Sequence, residues 1–312
     1  MSSHLKLHLE RTRNDIADAL GNSAKEYFDL GMKLYEDRRK YPYRGFQAIL
    51  GNLAISVELL LKCVVARKIF PLLYEGLSRE AQAILTNPES MPDGTLPNAF
   101  LGDLRSFTQK AIDLNQAISY FYLLFPKQKH EYSPHLKLLS SIRNVSVHGA
   151  VPSFQLYHLE RVAYIACKLF LLAKEEKIIR WYFMSNEAAA RKVVSKFDEE
   201  RIHKVHRAIE DAKKKSKSID HLWSISLSND EWEFRSETCP VCQNDASVYG
   251  YTEEDTHEEE STLWFYKEQF ECDSCGLVLD DAEELELAGI ETVEDISSEI
   301  EKWYSYQAEG RS

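Results

Sequence analysis

The stretch ILGNLAISVELLLKCVVARKIF, residues 49–70, decides the fold. Its apolar residues cover most of a helical circumference, so the helix it forms is a central one, enclosed by others rather than laid along a surface. Glu58 and Lys62 interrupt it four positions apart, on one stripe. Charges on such a helix are costly unless paired. Two pairings are open: with each other at the helix surface, or between Glu58 and a polar group on a packed neighbour, for which Arg143 and Asn144 are the candidates.

The segments around this helix are also helical. Patterns over 4–20 and 23–39 predict two helices separated by Gly21-Asn22-Ser23, with Ser23 as an N-cap. YPYRG, 41–45, then breaks the pattern. TNPESMPDGTLPN, 86–98, holds three prolines and a glycine and reads as a loop. A helix is expected over 99–124, ending at Pro126. Ser133-Pro134 then predicts an N-cap with proline at the first helical position, opening HLKLLSSIRNVSVHG, which Gly149 closes. A further helix over 153–184 carries Phe154, Leu159, Val162, Ile165, Leu169 and Leu172 at helical spacing. Residues 185–217 form one charged amphipathic pattern leading to a basic tail.

Beyond 219 the period changes. HLWSISLSNDEWEFRSE, 221–237, alternates like strands with a turn at 228–230. The expected organisation is therefore an N-terminal helical extension (1–45), a helical domain (46–185), a charged connecting helix (186–218) and an acidic, β-rich domain with a C-terminal helix (219–312). The fold class is mainly α with a small β-rich appendage.

The net charge of −12 conceals a division. Residues 1–220 carry 34 Lys+Arg against 25 Asp+Glu, a net of +9, whereas residues 221–312 carry 4 against 25, a net of −21. A polyanion is attracted to the first part and repelled by the second. No run of about 18 apolar residues is free of charge, and the start, MSSHLKLHLERTRND, is not a basic-then-apolar signal. The reading is a soluble, cytoplasmic protein with no membrane partner.

Of six cysteines, Cys63 and Cys167 sit alone in apolar helical patterns and read as reduced core residues. Cys239, Cys242, Cys272 and Cys275 form two CxxC pairs 29 residues apart. In a chain read as cytoplasmic these are metal ligands rather than disulfides. Each short turn aims two sulfurs at one ion, and four thiolates form a closed structural zinc set with no open position for a catalytic water. Spacing alone does not separate zinc from iron. The strand-like flanks, SVYGY and TLWFYKEQFE, are expected to form a hairpin with the acidic run TEEDTHEEE, 252–260, as its solvated loop tip. The arrangement over about 236–280 resembles a zinc ribbon, although Gln243 follows the first pair where many ribbons have glycine. So small a unit takes its folding energy from the metal. Its acidity disfavours a DNA-binding role and fits a basic protein surface or the basic half of its own chain.

RNVSVHG, 143–149, places Arg143, Asn144 and His148 at a helix end. Arg143 and His148 are five apart and diverge by roughly 140° on a straight helix. Convergence therefore needs an irregular last turn or a second copy of the motif from another subunit. Arginine offers a permanent charge to phosphate oxygens, and histidine moves a proton near neutral pH. Without a metal, that pair suits RNA cleavage by its own 2′-hydroxyl, with Asn144 orienting groups by hydrogen bonds. The same residues also suit ordinary capping of a helix end.

Two features together, Glu58-Leu-Leu-Leu-Lys62 on the apolar helix and Arg143-Asn144 with His148 on a later one, make residues 20–185 similar to the HEPN superfamily of small all-α domains. The resemblance implies a HEPN-like helical bundle acting as a metal-independent endoribonuclease, often a toxin or anti-phage defence effector, with a composite site across a homodimer of the motif helices. By that resemblance Arg143 and His148 are catalytic, Asn144 assists, and Glu58 and Lys62 support. RNA is the expected substrate, 2′,3′-cyclic phosphate the expected end, and zinc a structural cofactor only. The acidic part is expected to restrain the nuclease or to meet a protein trigger or inhibitor. The alternative is a non-catalytic HEPN-like dimerisation module whose acidic ribbon docks a partner. GxSxG, HExxH and glycine-rich phosphate loops are absent from the sequence.

Overall fold

The structure, a computed structural model, describes residues 2–38, 45–74, 111–148, 156–179, 186–216, 233–257 and 260–299. Mainly helical, it ends in a small antiparallel sheet, the class the periodicities predict. Two compact units divide the chain, Met1–Phe197 and Asp198–Ser312.

In the first unit, α1 (Ser2–Glu36), α2 (Gly45–Lys68), α3 (Leu114–Leu124), α4 (Lys129–His148) and α5 (Leu156–Glu175) build one core. The centre is α2, against which α1, α3, α4 and α5 all pack. Its length and apolarity would suffice to cross a membrane, yet Leu50, Leu53, Val57, Leu60, Leu61, Val64 and Val65 are buried among the other helices. This is a core helix, as its circumferential pattern predicts.

Three details differ from the expectations. First, α1 is continuous where a break at Gly21-Asn22-Ser23 is predicted. A helical glycine costs about 1 kcal/mol, and one face of α1 outweighs that by burying Ile16, Ala17, Ala24, Phe28, Met32 and Tyr35. Second, α4 begins at Lys129, so Pro134 lies inside it rather than opening it. Near a helix start a proline displaces few internal hydrogen bonds, and Tyr132, Leu136 and Leu139 continue one buried stripe through it. Third, the predicted helix over 99–124 is described only from Leu114, where Asp113 and Gln116 form a capping box. Its earlier residues, and the expected loop at 86–98, lie outside the described residues.

The helix α6 (Glu187–Lys215) spans the division between the units, its residues from Asp198 belonging to the second. The rest of the second unit is a sheet ordered β1 (Glu233–Thr238), β2 (Asp245–His257), β3 (Glu260–Cys272) and β4 (Leu277–Leu279), all antiparallel. After the short α7 (Ala282–Leu287), β5 (Val293–Asp295) adds to the same edge of β3 as β4, opposite Trp264–Tyr266. The expected strand and turn over 221–232 lie outside the described residues.

The described residues of the acidic run are strand rather than loop. Thr252–His257 continue β2, each paired with β3 down to His257 opposite Glu260. The reason lies across the strand: Thr252, Glu253 and Glu254 face Phe265, Trp264 and Leu263, residues that favour a pleated ladder. Inside, Val248, Leu263, Phe265, Phe270, Leu277 and Leu279 pack with Val205 and Ala212 of α6.

At Gly250, where the β2–β3 register shifts, an added Cβ would sit 1.9 Å from the Tyr266 carbonyl oxygen. Backbone cannot yield as a side chain can. Gly250→Ala is expected to cost at least ~2 kcal/mol by this clash, read as a lowered melting temperature of the second unit by circular dichroism.

Candidate functional site

Two constellations carry chemistry, one in each unit. In the second, Cys239 and Cys242 lie on the turn between β1 and β2, and Cys272 and Cys275 on the turn between β3 and β4. The four Sγ atoms all lie within 4.8 Å of one another. Cys239 and Cys275 are 3.6 Å apart, and Cys242 and Cys272 3.5 Å. A disulfide needs about 2 Å, whereas Zn–S bonds of about 2.3 Å in a tetrahedron separate sulfurs by about 3.8 Å. The set therefore fits a metal ion of that size.

Both turns have the same backbone. Gln243 N–H donates to the Cys239 carbonyl at 3.0 Å, and Gly276 N–H to that of Cys272 at 2.7 Å. Each donor residue is left-handed, φ +63° at Gln243 and +69° at Gly276. Gln243 bears that strain where glycine would not, and its side-chain amide also donates to the Cys239 carbonyl at 3.3 Å.

Burial pushes the Cys272 thiol up to about 11 and raises Cys275 as well. At Cys242 burial opposes ionisation, but the Asn244 backbone N–H and the neighbouring sulfurs outweigh it and lower the thiol. A bound cation must displace protons from such a cluster, so affinity falls as pH falls.

In the first unit the constellation centres on Glu58 of α2. One carboxylate oxygen accepts from Lys62 Nζ at 2.7 Å, and the other from Arg143 Nε of α4 at 3.0 Å. Both pairings left open by the sequence are thus present at once. Glu58 and Lys62 side chains are 12% and 13% exposed, and Arg143 is 30% exposed. The helix stripe explains the meeting: Leu136 and Leu139 point into the core, and Arg143, one turn on, reaches the core edge beside α2.

Arg143 uses only its Nε in this contact. Its two terminal nitrogens make no hydrogen bond among the described residues and form the edge that suits a phosphate. The backbone of α4 remains helical through His148, so positions 143 and 148 stay roughly 140° apart around its axis. The side chains of Asn144 and His148 lie outside what is described.

The sequence gives His135 no second cluster of ligands, and the structure accounts for it in another way. His135, also on α4, is almost fully buried, and Arg161 Nε donates to its Nδ1 at 3.2 Å. Nδ1 is then the acceptor and Nε2 carries the proton. Tyr164 and Phe197 pack on its ring. Its place beside Leu136 and Leu139 on the buried stripe was the available signal. By contrast, His203 and His206 are exposed on α6.

No family model matches the chain, and neither the curated proteins nor the solved structures contain a match. Function therefore rests on these two constellations.

Replacing one ligand tests the thiolate set. Elemental analysis of the unaltered protein is expected to give one equivalent of metal per chain, and Cys272→Ser is expected to abolish it and to remove the cooperative melting of the second unit. In the unaltered protein, metal release is expected to grow as pH is lowered from about 7 to about 4, because the thiolates are reprotonated. A dye that reports free divalent metal follows it.

Proposed function

We propose that the first unit is a metal-independent endoribonuclease of the HEPN type, and that the thiolate set of the second holds a structural zinc. The observation that carries the nuclease reading is the 3.0 Å contact between Glu58 and Arg143, residues 85 apart in sequence. It joins the two segments on which the HEPN resemblance rests.

In this reading Glu58 is a positioning residue. By taking Nε, it fixes the plane of the Arg143 guanidinium and leaves the terminal nitrogens for the non-bridging oxygens of an RNA phosphate. The 2′-oxygen attacks the adjacent phosphorus, its proton passes to an imidazole, and the bond to the 5′-oxygen breaks as that oxygen gains a proton. Arg143 stabilises the extra negative charge on phosphorus. Because positions 143 and 148 diverge on one helix, the site is completed by a second copy. The dimer then supplies two His148 imidazoles, one to take a proton and one to give one. Asn144 orients the strand by hydrogen bonds. The biological role that follows is a toxin or anti-phage effector of a prokaryotic cell, held in check by, or triggered through, its acidic unit.

The test is cleavage of labelled RNA in EDTA, with mass spectrometry of the ends. The unaltered protein is expected to leave 2′,3′-cyclic phosphate and 5′-hydroxyl ends and to spare the DNA of the same sequence. Arg143→Ala and His148→Ala are each expected to lower the rate by about 100-fold or more. Glu58→Gln, which keeps the shape but weakens the hold on Arg143, is expected to lower it by about tenfold. Cleavage indifferent to both Arg143→Ala and His148→Ala overturns the reading. So does an inert protein that stays inert without its acidic unit, which would leave a dimerisation and protein-binding module.

A further inference from the structure

The sheet of the second unit has two chemically different faces. Along β3, Leu263, Phe265 and Lys267 are buried, while Trp264 and Tyr266 between them are only half-buried and so lie on the opposite, outer face. The ladder fixes their neighbours. Tyr266 stands between Tyr251 on β2 and Val293 on β5, and the two tyrosine rings stack at 5.1 Å. Trp264 stands between Glu253 on β2 and Asp295 on β5. On the same face Phe234 of β1, 70% exposed, lies opposite Tyr249 with ring centroids 6.5 Å apart.

The cations are on the other face. Arg235 lies over the ring of buried Phe265 at 5.0 Å. Lys267 is 5% exposed and is paired with Glu237 and Glu294. Arg235 and Lys267 are the only arginine and lysine of the described strands, and the side chain of His257, at the end of β2, lies outside what is described. The outer face therefore presents aromatic rings and carboxylates, in a region whose net charge is −21 over residues 221–312.

An aromatic array of this kind can stack nucleic-acid bases, but here a polyanion is repelled by the surrounding carboxylates. A cation is satisfied twice over. An indole face attracts guanidinium or ammonium, and a carboxylate one strand away on each side, about 5 Å in the hydrogen-bonding direction, completes an ion pair. Trp264 and Tyr266 are two residues apart along one strand, about 6.8 Å, which matches alternate side chains of an extended peptide. We propose that this face docks an extended, arginine- or lysine-rich segment of a partner protein, with one cation on Trp264 between Glu253 and Asp295. This inference is independent of the nuclease reading.

The experiment uses the full-length, metal-loaded protein and a fluorescein-labelled peptide of alternating Arg and Gly, with its citrulline counterpart as the neutral control. The Arg peptide is expected to bind, more weakly as salt rises, and the citrulline peptide not to bind. Trp264→Leu leaves every charge in place and is expected to weaken binding about three- to thirtyfold. Trp264→Phe is expected to retain most of it. Glu253→Gln is expected to weaken binding, and Glu210→Gln, an exposed carboxylate of α6, the helix packed on the buried face of the sheet, to leave it unchanged. Metal content and melting temperature equal to those of the unaltered protein separate a lost contact from a lost fold. Failure of the Arg peptide to bind overturns the proposal. So does equal binding by Trp264→Leu, or an equal loss in Glu210→Gln and Glu253→Gln, since either marks diffuse attraction by net charge.

Discussion

A carboxylate on the most buried helix of a domain has to be met by a positive charge, and that constraint organises the first unit. Glu58 sits on α2 with apolar neighbours on nearly every side, where an unpaired charge would cost several kcal/mol. Lys62, on its own helix, satisfies one oxygen, and Arg143 the other. A surface i,i+4 pair alone is worth only about 0.3–0.5 kcal/mol. The contact to α4 matters more, because it fixes which face of α4 packs against α2. The rest of α2 then has one orientation that buries Leu53, Val57, Leu60 and Val64. Cys63 adds a specific contact on the α1 side, its Sγ lying 3.2 Å from the Ala17 carbonyl oxygen.

The second unit solves a different problem with the same rule. A fold so rich in carboxylates repels itself, and its cations are placed where two carboxylates converge. Arg201 of α6 meets Asp281 and Glu283 at the start of α7, and Lys204 bonds Asp280 at 2.6 Å and Glu284 at 2.7 Å. Glu237 and Glu294 of β1 and β5 converge on Lys267 of β3. For Lys204 burial alone would lower the ammonium's affinity for its proton, but the two carboxylates reverse this and raise it. Helix α6 thus brings to the second unit both an apolar strip, Val205 and Ala212, and the positive charges that its acidic residues need.

Much of this was legible in the sequence, and the failures have a common cause. The central position of α2 followed from its apolar circumference, and the metal site from the CxxC spacing, because both signals are local. The Glu58–Arg143 contact was one of two pairings that local reasoning left open; only packing could show that a carboxylate with two oxygens takes both. The break predicted at Gly21 and the start predicted at Ser133-Pro134 were overridden by buried stripes that run through them, on α1 and on α4. Residues 252–257 of the acidic run are strand where composition suggests a solvated loop. What decides its state is the strand opposite, where Leu263, Trp264 and Phe265 hold the ladder. The partner of His135, Arg161, lies on another helix, beyond the reach of local reasoning.

Gln243 shows what the convergence of the four sulfurs asks of the backbone around them. A non-glycine residue in the left-handed region costs about 1 kcal/mol or more, and nothing in its sequence neighbourhood favours that conformation. The turn imposes it: Gln243 N–H must point at the Cys239 carbonyl for the two sulfurs to converge, as Gly276 N–H points at that of Cys272. The free energy of binding a metal to four thiolates is about ten times larger than this strain, so the strained turn is tolerated once the ion is held. Because four thiolates close the coordination shell, the ion gains no position for substrate. The two constellations are therefore divided by chemistry: one shapes a backbone, and the other presents a guanidinium edge that makes no hydrogen bond among the described residues.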